Sequence, residues 1–157
     1  MIDALQTFTA SLPPTLQWAG VMLIAAIPFV ESYFGATIGV LAGIDPVIAI
    51  VAAIVGNVIS MLVVVLGAHG VRSRVTRSRP RADESPRRRK LRASFDRYGV
   101  PGVSLFGQTI LPSQITSAAM VSFGASRNAV ILWQLVSIVV WGLVFGVLAA
   151  LGVRFLG

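Results

Sequence analysis

The sequence predicts an all-α integral membrane protein built from two inverted repeats, each a proline-broken, re-entrant helical hairpin followed by a long transmembrane helix. Two apolar blocks, 15–69 and 99–156, flank a basic insert at 70–98, and each block opens with a segment interrupted by proline and polar residues. A helix needs roughly 20 apolar residues to cross a bilayer, so each block is long enough for two passes. With 157 residues, we expect a single membrane domain over 1–157 and no separate soluble domain.

Composition narrows the classes of function. The chain is 55% hydrophobic, contains no cysteine and has one histidine, His69. Disulfides, thiolate metal sites and cysteine nucleophiles are therefore excluded, as is a site made of several histidines. We find no Ser/His/Asp set, no paired carboxylates and no phosphate loop, so we expect no enzyme, metal or cofactor. The start carries Asp3 and no basic residue, which argues against a cleavable signal peptide.

The positive charge is concentrated in the insert. Eleven of the thirteen Lys and Arg residues lie between Arg72 and Arg97. Basic residues crowded beside transmembrane ends place a loop in the cytoplasm, so we expect 70–98 to be cytoplasmic. No aromatic residue is interleaved among most of these arginines as a base-stacking platform, which argues against binding of nucleic acid.

The first block divides into recognisable segments. Residues 1–14 form a short lead that ends at an entry turn, and 16–27 read as an apolar helix. Pro28 interrupts this helix, and we predict that 31–35 is the break. The chain is apolar again over 36–44.

A strong helix start follows the first broken segment. Asp45 is an N-cap acid, and Pro46 occupies the first helical position, where its missing N–H costs nothing. We predict an uninterrupted membrane helix over 47–68, with Asn57 near its middle. Asn57 can form a plain interhelical hydrogen bond or contact a substrate.

The insert changes character along its length. Residues 70–86 have too little apolar surface to order themselves. After Arg87, apolar Leu91, Phe95 and Tyr98 recur at helical spacing. This pattern fits an interfacial helix or an ordinary helix packed on the protein's own membrane domain. In the interfacial arrangement, three arginines reach lipid phosphates: Arg88, Arg92 and Arg97.

The second block repeats the plan of the first. It begins at 99–102, breaks over 108–114 and continues to Gly124; Ser126 then caps a last helix over 130–155. Two topologies fit. The broken segments can be re-entrant hairpins that enter from opposite sides with tips meeting near the midplane, or they can span, giving four crossings. We favour the hairpins.

Glu31 is the only acid deep within an apolar stretch. A charged carboxylate near the bilayer centre costs roughly 3 kcal/mol or more, so we expect the protonated, neutral form there. Such a group can couple transport to protons or pair with a cationic substrate. Alternatively, its carboxyl caps the N-terminus of a half-helix at the hairpin tip.

A polar group in the second block is the counterpart of Glu31. We predict that its members satisfy unpaired backbone at the break or bind substrate; they are Gln108, Thr109, Ser113, Gln114, Thr116 and Ser117. The first four of these, together with Glu31, Asn57 and Tyr33, form the predicted coupling or binding site.

Short motifs in both blocks resemble those of the DedA superfamily. Residues 28–32, leading to 41–43, resemble its first motif, and 97–102 followed by 110–112 resemble its second. The compact length and the basic loop followed by Tyr-Gly look closest to the branch of small multidrug-export proteins. The chain differs from the family at Thr109 and Ile115, where the second motif carries arginines. The resemblance implies facing re-entrant hairpins in a bacterial inner (plasma) membrane, which move a lipid-linked substrate with an ion gradient.

Three hypotheses for function remain open. The first is a proton-coupled carrier or flippase of a lipid-linked or amphiphilic substrate. The second is an exporter of cationic amphiphiles, with Glu31 as counter-ion beside Tyr33, Phe34 and Phe106. The third is an accessory subunit that transports nothing and pairs through the GxxxG spacing of Gly142 and Gly146. The expected partners are the lipid bilayer, anionic lipids, a small amphiphilic substrate and a second copy of the chain in a homo-oligomer.

Overall fold

The computed structural model describes residues 2–75, 86–107 and 110–156, and this part of the chain contains helices and no strand. The all-α prediction is therefore confirmed. The elements in chain order are α1 (Ile2–Ser11), a 3₁₀ turn (Pro14–Leu16), α2 (Gln17–Ala25), α3 (Glu31–Leu41), α4 (Pro46–Val75), α5 (Pro86–Phe106), α6 (Ser113–Phe123) and α7 (Arg127–Leu156).

Within the described residues, two helices are long and apolar enough to cross a membrane. They are α4 over Pro46–Gly67 and α7 over Arg127–Phe155. Both present apolar side chains outward, at Val51, Val55 and Ile59 of α4 and at Leu143 and Leu148 of α7, for example. Exposed apolar stripes of this kind are unusual on the surface of a soluble protein and suit contact with lipid.

The chain separates into two compact units. The first contains residues 1–60 together with 137–157, and the second contains 61–136. These units do not follow the boundaries of the predicted repeats, because the C-terminal two thirds of α7 belong to the first unit.

In the first unit, α2 and α3 form a close antiparallel pair. A Cβ built on Gly35 would lie 2.6 Å from the Cβ of Ala25, and one built on Gly39 would lie 2.9 Å from Val21. Apolar residues of both helices share one core with α4. The tightest approach is at Gly56 of α4, where a Cβ would collide with the backbone carbonyl of Met22. Small residues let helix backbones approach this closely and gain dispersion energy along the contact.

The N-terminal lead is a helix, which the sequence interpretation missed. Leu5 of α1 packs against the buried Ile24, Val30 and Ile38, and Thr9 is fully buried. The Gln6 side-chain amide donates to the backbone carbonyl of Leu41, 3.1 Å away, and so ties α1 to the end of α3.

The GxxxG spacing of α7 is used inside the first unit. A Cβ on Gly142 would lie 2.9 Å from Ile54 and 3.2 Å from Ser32. At Gly146, a Cβ would crowd Ile50 and Ala36. These contacts within the unit explain why glycine is needed at both positions, and they require no partner chain.

The second unit is built around an antiparallel contact of α5 with α6. Its core contains Leu91, Val103, Met120, Val121 and Val130. Phe95 packs against this core, so the first part of α5 is packed on its own unit, one of the two arrangements left open above. The helix is interrupted at Gly99, whose φ of 65° lies in the left-handed region that glycine adopts at little cost.

The starts of α4 and α7 match the predicted caps, but α4 runs on to Val75, beyond its predicted end at residue 68 and into the insert 70–86 that was expected not to order itself. The Asp45 Oδ1 accepts hydrogen bonds from the backbone N–H groups of Val47 and Ile48, at 2.9 and 3.2 Å, and α4 begins at Pro46. The Ser126 hydroxyl accepts the N–H of Ala129 at 3.3 Å, and α7 begins one residue after the cap. Both 11-residue helices, α3 and α6, are followed by a 30-residue helix.

The first predicted break is displaced. Residues 31–35 were expected to be broken, but α3 begins at Glu31, and the non-helical residues are 26–30. Pro28 disfavours helical backbone in the residue before it, so α2 ends ahead of the proline. An acid is favourable in the first turn of a helix, which suits Glu31 as the first residue of α3. The second break was predicted over 108–114, but its last two residues, Ser113 and Gln114, belong to α6.

We expect Gly56→Ala to lower the free energy of unfolding by about 2–3 kcal/mol, because the added methyl group must displace the backbone of α2. The measurement is unfolding by sodium dodecyl sulfate in mixed micelles. Gly67→Ala on the same helix is the control, since a Cβ there meets nothing within 4 Å, and it should be neutral or stabilising by up to about 1 kcal/mol. Equal effects of the two substitutions would contradict the close crossing.

Candidate functional site

The first unit buries a carboxyl group at the start of a helix. Asp3, Asp45 and Asp96 are exposed, whereas Glu31 is 0% exposed, which makes it the buried acid of the described residues. Ser32 and Asn57, on α3 and α4 of the same unit, are also fully buried. The sequence-based prediction that Glu31 is the deeply placed acid agrees with its burial.

The backbone before Glu31 makes a tight turn. The carbonyl of Ile27 accepts the N–H groups of Val30 and Glu31, at 3.1 and 3.3 Å. Phe29 and Glu31 have φ angles of 74° and 53°. Residues with a Cβ pay roughly 1–2 kcal/mol each in this left-handed region. Such strained positions persist only where their surroundings hold them, and they cluster at functional sites.

Two serine hydroxyls hold the ends of this turn. One reaches the turn from α4, and the other ties the start of α3 to α7. The hydroxyl of Ser60 on α4 donates to the carbonyl of Ala26, 2.8 Å away, at the end of α2. The hydroxyl of Ser32 donates to the carbonyl of Ile138 on α7, 2.9 Å away. Irregular backbone inside a membrane needs such partners because lipid supplies none. The sequence interpretation did not identify Ser60 or Ile138.

An aromatic cluster lies on α3 and α7 of the first unit. The ring of Tyr33 is 4.7 Å from that of Phe34 and 5.6 Å from that of Phe145, and Trp141 is 5.8 Å from Phe145. Tyr33 follows Glu31 by two residues. Trp141 and Phe145 were missed, and their four-residue spacing on a helix was the available signal. Phe106, which we grouped with Tyr33, belongs to the second unit.

The second unit has its own buried polar group at the start of α6. Ser113 and Gln114 are buried there with Thr116 and Ser117. The Thr116 hydroxyl lies 3.1 Å from the carbonyls of Pro112 and Ser113, and the hydroxyl of Ser117 also donates to Ser113. These bonds satisfy backbone carbonyls near the break, as predicted for this group. The predicted site residues Gln108 and Thr109 lie outside the described residues.

Gln134 of α7 completes this polar group. Its side-chain amide donates to the Thr116 hydroxyl, 3.1 Å away, and both residues are fully buried. Thr116 belongs to the polar group predicted from the sequence, whereas Gln134 was not singled out. Of the predicted site residues, the structure gathers Glu31, Tyr33 and Asn57 in the first unit, and Ser113 and Gln114 in the second.

The arginines predicted to contact lipid phosphate lie beside aromatic rings. The guanidinium of Arg92 is 5.5 Å from the ring centre of Phe123, and that of Arg97 is 5.2 Å from Tyr98. Both distances fall within the range of cation–π attraction. The side chain of Arg88 lies outside the part of the chain that the structure describes.

Comparison with known proteins adds no identification. No family model matches the chain, and searches of curated proteins and of solved structures find no significant match. Function is therefore argued from the described residues. Among them, no three His, Cys, Asp or Glu residues are grouped to hold a metal ion.

We expect Phe29→Gly to raise the free energy of unfolding by about 0.5–1 kcal/mol, because glycine removes the cost of a positive φ. The Phe29 side chain is 57% exposed, so little packing is lost. Phe8→Gly in α1 is the control: that phenylalanine is also exposed but is helical, and glycine there should destabilise. Destabilisation by both substitutions would contradict the left-handed turn.

Proposed function

We propose that the protein is a small membrane carrier or flippase that couples protons to movement of a lipid-linked or amphiphilic substrate, with Glu31 as the coupling group. The observation that carries the proposal is a carboxyl group at 0% exposure, held at a helix break by strained backbone. Ionisable groups inside membrane segments are costly and usually functional. We assign the protein to the DedA-like carriers of a bacterial inner membrane, with 70–98 in the cytoplasm.

Helix lengths support re-entrant hairpins over four crossings. α3 and α6 have 11 residues each, or about 17 Å of helix, and the apolar segment Pro14–Ala25 is also short. The hydrocarbon core is about 30 Å thick, so none of them crosses alone. The 30-residue helices α4 and α7 are about 45 Å long and can cross. The matched order of short helix, cap and long helix supports an inverted repeat.

Protonation of Glu31 supplies the coupling step. In the protonated state the carboxyl is neutral and its burial is inexpensive, whereas the carboxylate requires water or a cation beside it. Loss of the proton therefore favours an arrangement in which the turn at 26–30 opens to water. The strain at Phe29 and Glu31 lowers the cost of leaving the closed arrangement, since opening releases it. A proton gradient then favours the protonated, closed arrangement on the acidic side of the membrane and the deprotonated, open arrangement on the other side.

A second candidate is export of cationic amphiphiles. The aromatic cluster of Tyr33, Phe34, Trp141 and Phe145 lies on the same unit as Glu31 and includes the residue two positions after it. Aromatic faces attract organic cations, and a carboxylate supplies the counter-charge. In this mechanism the substrate cation, and not only a proton, neutralises Glu31.

We expect single cysteines at Asp45 and Ser126 to be labelled from opposite sides of the membrane. The chain has no native cysteine, so each label reports one position. Both residues are exposed N-caps of long helices, and one crossing by α4 lies between them in the hairpin topology. The measurement is maleimide labelling of spheroplasts with and without permeabilisation. Labelling of both positions from outside would mean four crossings.

We expect Glu31→Gln to reduce substrate flux at least tenfold and to remove its dependence on the pH gradient, since glutamine stays neutral. The measurement uses proteoliposomes with an imposed pH gradient and two probes, a fluorescently labelled lipid phosphate and ethidium. Asp3→Asn is the matched control, because it removes an exposed carboxylate, and it should leave flux unchanged.

The two probes separate the two candidates. Gradient-driven movement of the lipid phosphate that Glu31→Gln abolishes supports the flippase, whereas the same result with ethidium alone supports the exporter. Full flux with an unchanged pH dependence in Glu31→Gln would rule out proton coupling through this residue.

A further inference from the structure

The second unit contains a pocket that the transport proposal does not use. Its volume is about 620 Å³. It lies along α5 and reaches the residues that follow the end of that helix. All of its lining residues belong to the second unit, so it is separate from the unit that holds Glu31.

The wall of the pocket is largely apolar. Leu91 and Val103 are buried members of the core at its base. Phe106 and Ile110 are 70% and 75% exposed, and they leave an apolar rim. Pockets with this balance bind ligands that bury hydrocarbon and place a few polar groups at fixed points.

The charged lining residues of the pocket are both cations. Arg87 and Lys90 lie three residues apart near the start of α5, so they are neighbours along one side of the helix. Asp96, the acid of the same helix, does not line the pocket. A cationic end combined with an apolar wall is complementary to a molecule that has an acidic head and a hydrocarbon tail.

The volume limits the size of the occupant. A methylene group occupies roughly the volume of a water molecule, about 30 Å³, so the pocket has room for about 20 such groups. One long alkyl chain with a small head matches this space, whereas the two chains of a phospholipid would extend beyond it.

We propose that this pocket binds a single-chain anionic amphiphile, with its carboxylate or phosphate at Arg87 and Lys90 and its chain along Leu91, Val103 and Phe106. This site goes beyond the proposed transport function and does not depend on it. It also differs from the predicted lipid contacts, because Arg92 and Arg97 lie beside aromatic rings and do not line the pocket.

The test is equilibrium binding of a nitrobenzoxadiazole-labelled dodecanoic acid to the full chain in phosphatidylcholine nanodiscs, with empty nanodiscs subtracted. No gradient is applied, so the result is independent of transport. Oleate should displace the probe at least tenfold more effectively than oleyl alcohol, which has the same chain without charge. Inorganic phosphate alone should not displace it, because it lacks the chain.

Two variants test the assignment of the charged end. Arg87→Gln combined with Lys90→Gln should weaken probe binding at least tenfold. Arg89→Gln combined with Arg127→Gln removes the same charge from the same unit, outside the pocket, and should change binding less than twofold. Equal losses in the two double variants would overturn the proposal, since they would indicate diffuse attraction to a basic surface.

Two further variants test whether the alkyl chain lies in the pocket and whether this site is separate from Glu31. Ser94→Phe fills the pocket without changing its charge and should also weaken binding, whereas Glu31→Gln should leave binding unchanged. Equal displacement by oleate and oleyl alcohol would overturn the role of the cations. Displacement by dioleoylphosphatidylglycerol as effective as that by oleate would overturn the single-chain occupant.

Discussion

Close contact between helix backbones is the constraint on which the first unit depends. Gly56 of α4 lies against the carbonyl of Met22 in α2, with no space for a methyl group. In a lipid environment, burial of apolar side chains supplies little drive for helix association, so packing of small residues and hydrogen bonds must supply it. This crossing brings α4 close enough for Ser60 to reach Ala26. Gly142 similarly leaves space for Ser32 beside α7.

The break before Glu31 combines constraints that oppose one another. Pro28 ends the helical pattern, and the two left-handed residues turn the chain. Ser60 of α4 donates to the carbonyl of Ala26, and Ser32 ties the start of α3 to α7. Each left-handed residue raises the energy of this arrangement, and each hydrogen bond lowers it. A turn held in this balance can store strain beside an ionisable group, which a uniformly relaxed loop cannot do.

Local signals predicted the starts of α4 and α7 well, but not the end of α4, which was expected at residue 68 and lies at Val75. Asp45-Pro46 and Ser126 were recognised as helix starts because capping chemistry lies within a few residues of sequence. The helix α1 was missed because its apolar stripe is short and its stability comes from packing of Leu5 on residues far along the chain. The break was predicted over 31–35, but it ends at Glu31, whose left-handed backbone leads directly into α3.

Contacts between distant segments could not be predicted from the same signals. The roles of Gln134, Trp141 and Phe145 depend on which side of α7 meets which neighbour, and an almost uniformly apolar helix contains little periodicity to indicate this. The pocket on α5 was missed because Arg87 and Lys90 were considered only as part of the basic insert. The volume of the pocket also depends on the path of the backbone after Phe106, because residues that follow this helix line it.

The bond from Ser32 to Ile138 also sets an order of events during synthesis. Its two residues are 106 positions apart, so at roughly 5–20 residues per second α3 exists for about 5–20 s before its partner on α7 is made. During that interval α3 lacks its hydrogen bond to α7, so the hydroxyl of Ser32 needs another acceptor until residue 138 has been added.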